Sequence, residues 1–137
     1  MARSFLVCGA LVMAIGIAAG AFSAHAAKGA AHPDAAQLLR TAVLYHLVNG
    51  LGIVAVGLAA RWGTSMWLAA AGLLLLAGVV LFCGSLWFLA MTGRSAGPFA
   101  PVGGLAFIAG WLALAIHALP PPDEKKGSDT FSRRPSQ

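Results

Sequence analysis

Four long stretches of the chain carry no formally charged side chain: Ser4–Ala27, Thr41–Ala60, Trp62–Gly93 and Ser95–Pro122, of 24, 20, 32 and 28 residues. About 20 apolar residues in an α-helix cross a hydrocarbon core ~30 Å thick, so each stretch can span a bilayer. Four spans in 137 residues leave almost nothing outside the membrane. A soluble helical protein would show helices with one polar face, whereas these are apolar all round, so lipid is their solvent.

Composition agrees where it matters. Only 9% of residues are charged, against about 25% in a soluble domain. The net charge of +5 comes from nine basic residues that are dispersed along the chain, which argues against a nucleic-acid surface. The expected fold is all-α: an integral membrane four-helix up-down bundle over residues 1–119. Its helices are expected at about 5–24, 41–60, 66–91 and 100–119. Pro120, Pro121 and Pro122 should stop the last helix, because three successive residues lack a backbone donor. Residues 120–137 read as a disordered basic tail.

Charge also orients the bundle. With four spans, the N-terminus, the second loop and the tail share one side and hold Arg3, Arg61, Lys125, Lys126, Arg133 and Arg134. The other side holds Lys28, Arg40 and Arg94. Basic residues favour the cytoplasm, which places both termini there. Trp62 and Trp67 beside Arg61 fit an interfacial anchor on that face. Arg3, the apolar run and Ala24-His25-Ala26 also resemble a signal peptide with its cleavage site. However, the run from Phe5 to Ala24 exceeds the usual 7–15 residues of such a leader, so a retained first helix is expected.

Polar residues at membrane depth are few. Under this topology Tyr45, His46 and Asn49 lie within about 12 Å of the outer surface, at 1.5 Å per residue. Cys83 and Ser85 on the third helix fall near the same depth, and His25 sits where the first helix emerges. Residues three and four apart share a helix face, so His25, Tyr45, His46, Asn49 and Ser85 form the candidate cluster. Its expected role is a satisfied hydrogen-bond network that sets helix register. A pocket for a small polar ligand, a quinone head group or a proton is the alternative.

Enzyme chemistry has little to work with. No Asp or Glu lies inside a span: Asp34 is in a loop, and Asp123, Glu124 and Asp129 are in the tail. His25, His32 and His46 match no compact metal spacing, and His117 is on the opposite face, so neither metal nor haem is expected. Cys8 and Cys83 fall at different depths and read as free thiols. Glycine is abundant. Gly16 and Gly20 on the first helix, Gly78 and Gly84 on the third, and Gly103, Gly104 and Gly110 on the fourth are expected to let backbones approach. In lipid, that close contact supplies the packing.

Gly20-Ala21-Phe22-Ser23-Ala24-His25 resembles the Gly-Ala-Phe-Gly-Ala-His signature of the domain-of-unknown-function family 423, which includes the transmembrane protein 256 type. Tyr45-His46, Leu81-Phe82-Cys83-Gly84-Ser85-Leu86, Thr92-Gly93, Pro101-Val102-Gly103-Gly104 and Gly110-Trp111 continue the resemblance in order from Phe5 to Leu119. It implies a retained first helix and four spans, but no biochemical activity. Ser23 stands where the family often has glycine, and Asn49 where it often has histidine. Asparagine keeps hydrogen bonding but loses titration near neutral pH and is a poor transition-metal ligand.

These features point to a non-catalytic multi-pass protein of the bacterial inner membrane. Its expected partners are the lipid bilayer and other integral membrane proteins or further copies of itself, with no nucleic acid, no cofactor and no metal. The favoured role is an accessory or assembly component of a larger membrane complex. The alternatives are a small transporter or ligand carrier using the outer polar cluster, and a haem or metal redox protein.

Overall fold

The computed structural model describes residues 1–119, which form four helices: α1 (Ala2–Lys28), α2 (Ala35–Ala59), α3 (Met66–Thr92) and α4 (Phe99–Ala118). All four are long and apolar enough to cross a membrane, as expected from the charge-free stretches. The tail expected over 120–137, and the three prolines expected to end α4, lie outside the described residues.

Helix boundaries differ from the charge boundaries. α2 begins at Ala35, within the segment expected to be a loop, and carries Arg40 exposed on its surface. The first turns hold because Ala35 and Leu39 are buried against Ala90 of α3. A basic residue marks the limit of the hydrocarbon, not of the helix, since its long stem lets the charge reach water. α3 departs from regular geometry at Val79–Cys83, which forms a wider π-helical turn. Such turns are single interruptions within α-helices, and the local apolar sequence carries no sign of this one.

The helices pack as close pairs. On α1, Gly9 faces Val54 and Gly16 faces Leu47 of α2; from α2, Gly50 faces Val12 and Gly57 faces Leu6 of α1. Contact positions rise along one helix as they fall along the other, so the two run antiparallel. A methyl group at Gly9 would lie 2.7 Å from the backbone nitrogen of Val54, closer than atoms can sit. At Gly20 it would lie 3.2 Å from Val43 Cγ1, a tight but lesser contact. α3 and α4 form the second pair, with Gly78 under Phe107, Gly103 against the Phe82 backbone and Gly110 against Leu75. Glycines seven apart recur in three helices: Gly9/Gly16, Gly50/Gly57 and Gly103/Gly110. That period keeps one narrow seam facing a neighbour over two turns.

Not every glycine packs. Gly84, expected at a helix contact, is exposed with open space where its side chain would be. The π turn precedes it directly and alters the angular register that plain helical spacing would give. A methyl group at Gly104 would make only ordinary contact with the Phe82 ring, at 3.8 Å.

The two pairs meet through α2 and α3, where Leu39, Ile53, Val56, Leu68 and Leu75 are fully buried. Short connections close the ends. Ser65 caps α3, its Oγ accepting from Leu68 N at 3.2 Å. Gly93 ends α3 in the left-handed region at φ 68°, which glycine adopts without a Cβ clash. The His32 N–H donates to Ala90 O at 3.2 Å and ties the first connection to the end of α3.

Candidate binding groove

Asn49 lies on α2 and is only 2% exposed. A primary amide among apolar groups is costly unless both its ends are bonded. Its Nδ2 donates to Tyr45 O one turn back, at 2.8 Å, and its Oδ1 accepts from Trp111 Nε1 of α4 at 3.0 Å. Gly52 makes room for the indole: a methyl group there would lie 2.9 Å from Trp111 Cζ2. Gly110 lets α4 settle on Leu75, which brings Trp111 within reach of α2. α2 and α4 otherwise touch little.

The rings of Tyr45, Phe82 and Phe107, one from each of α2, α3 and α4, form a cluster N-terminal to the Asn49–Trp111 bond on α2 and α4. Their centroids are 4.8 Å (Tyr45–Phe82), 5.7 Å (Phe82–Phe107) and 6.0 Å (Tyr45–Phe107) apart. These spacings fall in the range in which aromatic pairs attract beyond simple burial. Phe82 belongs to the π turn, and its backbone sits against Gly103. The result is a groove of about 750 Å³ lined by Tyr45 and Asn49 of α2, Phe82 of α3 and Phe107, Trp111 and Leu112 of α4 among others, with no charged residue in its lining. Among the described residues the Tyr45 hydroxyl has no hydrogen-bond partner.

The remaining residues of the expected cluster lie elsewhere. His46 turns to α1, where Nε2 is 3.0 Å from Val12 O and the ring lies over Gly16. It lines a separate cavity of about 380 Å³ with Cys83 and Trp87. Successive helical residues are turned by about 100°, so Tyr45 and His46 serve different neighbours even though they are adjacent in sequence. The Ser85 hydroxyl is buried and donates to Leu81 O of its own helix, beside the π turn. His25 is exposed near the end of α1 and has no side-chain hydrogen bond among the described residues. Of the five, only Tyr45 and Asn49 line the groove.

Residues 19–104 match the family described as "Protein of unknown function (DUF423)". The chain belongs to this family. It is 42% identical to a UPF0382 membrane protein of Staphylococcus haemolyticus over 83% of this chain and 93% of that one. It is 36% identical to the UPF0382 membrane protein YwdK of Bacillus subtilis, over 85% of this chain and 97% of that one. The UPF0382 inner membrane protein YgdD of Escherichia coli is 31% identical over 85% of this chain and 90% of its own length. No solved structure matches. The family resemblance carried by Gly20–His25 and the later motifs is therefore borne out, and this DUF423 chain is a multi-pass membrane protein.

Several residues of the DUF423 chain gain a role only in three dimensions. Trp111 stood out as part of a motif, but its bond to Asn49 spans 62 positions and has no local signature. Phe82 and Phe107 sit in uniformly apolar helices, where nothing distinguishes a groove-lining ring from a lipid-facing one. His117, near the end of α4, places Nδ1 2.8 Å from Ser65 Oγ, linking the α4 terminus to the α3 cap. Cys8 and Cys83 are both free thiols. Among the described residues no three His, Cys, Asp or Glu side chains come together.

Proposed function

We propose that this protein is a non-catalytic accessory or assembly component of a larger complex in the bacterial inner membrane. The observation that carries this reading is that no buried side-chain polar atom among the described residues lacks a hydrogen-bond partner. Asn49 and His46 spend their polarity on bonds to neighbouring helices, and Ser85 on a carbonyl of its own helix. Proton relays in membranes use chains of Asp, Glu and His lining a cavity, and none of these lines the groove. What remains for recognition is apolar helix surface, including Leu11, Ile15 and Phe22 on α1 and Leu105 on α4. A protein with so little outside the lipid meets its partners within it.

The proposed topology is an up-down bundle with both termini cytoplasmic, supported by the six basic residues on that side against three on the other. The first helix is retained in this reading, since α1 packs on α2 from Gly9 to Gly20. Purification of the tagged full-length protein in mild detergent, with mass spectrometry of the intact chain and its companions, tests the role. A stoichiometric membrane partner is the expected result. A chain recovered only as a partner-free monomer overturns the role, and an intact mass lacking α1 overturns retention. Reporter fusions at either terminus test orientation; activity on the outer side rejects it.

A further inference from the structure

We propose that the groove between α2 and α4 binds a neutral molecule dissolved in the membrane, a flat ring bearing a carbonyl on a hydrocarbon tail. This goes beyond the accessory role and does not depend on it. At about 750 Å³ the groove falls within the 300–1,000 Å³ typical of small-molecule sites.

The lining sets the ligand's chemistry. No charged group lines the groove, so it offers no ion pair to a charged ligand. The Tyr45, Phe82 and Phe107 rings offer faces and edges to a planar group. The Trp111 indole N–H is already committed to Asn49, whereas the Tyr45 hydroxyl has no partner among the described residues. A hydroxyl in an apolar setting gains most from an acceptor, and a ring carbonyl presents one in the plane that the aromatic faces favour.

Depth sets the ligand's direction. Arg40 is exposed five residues before Tyr45, so the Tyr45 backbone lies about 7 Å along the helix from the charged boundary at 1.5 Å per residue. The ring sits at that level, and the tail follows Ile108 and Leu112 toward the bilayer centre. A saturated acyl chain supplies neither the acceptor nor the planar face.

The test uses the full-length protein in phosphatidylcholine nanodiscs, titrated with a decyl-substituted benzoquinone while indole fluorescence is followed. Saturable quenching above the linear collisional background is expected, with decylbenzene failing to compete. Tyr45→Phe should weaken binding about 2- to 10-fold, the worth of one hydrogen bond. Gly104→Leu puts a side chain into the groove where a methyl group meets only the Phe82 ring at 3.8 Å, and should abolish the saturable component without lowering the melting temperature. If that variant misfolds, Ile108→Trp fills the same space from the α4 wall. Strictly linear quenching in the parent, or saturation unchanged by groove filling, overturns the site. Equal affinity in Tyr45→Phe, or competition by decylbenzene, overturns the carbonyl ligand.

Discussion

Trp111 of α4 donates its indole N–H to the Asn49 amide oxygen of α2, a 3.0 Å bond between residues 62 positions apart. It joins two helices that have few other contacts, and both of its residues line the groove. Asn49 is held in turn by its bond to Tyr45 O, so the amide is oriented before it meets the indole.

Breaking that bond should loosen the bundle by a modest, measurable amount. Asn49→Leu and Trp111→Phe should each destabilise the protein by about 1 kcal/mol in reversible unfolding from mixed micelles. The double variant should show coupling near 0.6 kcal/mol, and no more than about 1.7. Strictly additive effects would mean that the bond contributes nothing to stability.

Neighbouring or similar glycines should respond very differently to one methyl group. At Gly103 it would overlap the Phe82 backbone, so Gly103→Ala should cost about 1–3 kcal/mol as α3 and α4 are pushed apart. At Gly84 the space is open, and Gly84→Ala should be neutral or gain up to about 1 kcal/mol from helix preference. Melting temperatures in detergent should rank Gly84→Ala at or above the parent and Gly103→Ala well below it.

The start of α3 depends on Ser65, which accepts from Leu68 N and also meets His117. Ser65→Ala should remove about 1 kcal/mol of capping and speed hydrogen exchange at the Leu68 amide. Ser65→Asn retains a capping oxygen and should restore most of the protection. An unchanged exchange rate in the alanine variant would show that the cap is dispensable.

Thiol labelling separates the two cysteines. Cys8 is half-buried near the start of α1, whereas Cys83 is 2% exposed at the end of the π turn. N-ethylmaleimide should give a single adduct on the folded protein, at Cys8, and a second only after denaturation. Early modification of Cys83 would show that α3 opens readily at the π turn.

Charge-free length alone determined that the described residues form four helices suited to a bilayer, because hydrocarbon penalises any unpaired charge and leaves a spanning backbone only its own groups to bond. The glycine seams were partly legible for a similar reason. Gly103 and Gly110 sit against a neighbouring backbone and Gly16 and Gly78 against side chains of the facing helix, but Gly84 packs on neither, since the π turn before it changes which way it faces. Tyr45, His46 and Asn49 could be placed at one depth from their numbers, yet depth is not direction. Packing turned His46 to Val12 on α1 and Asn49 to Trp111 on α4, and it left Tyr45 in a groove with Phe82 and Phe107. In helices that are apolar all round, no polar face announces which side meets a neighbour. Only the fit of side chains across three helices decides it, and that fit exists only in the tertiary structure.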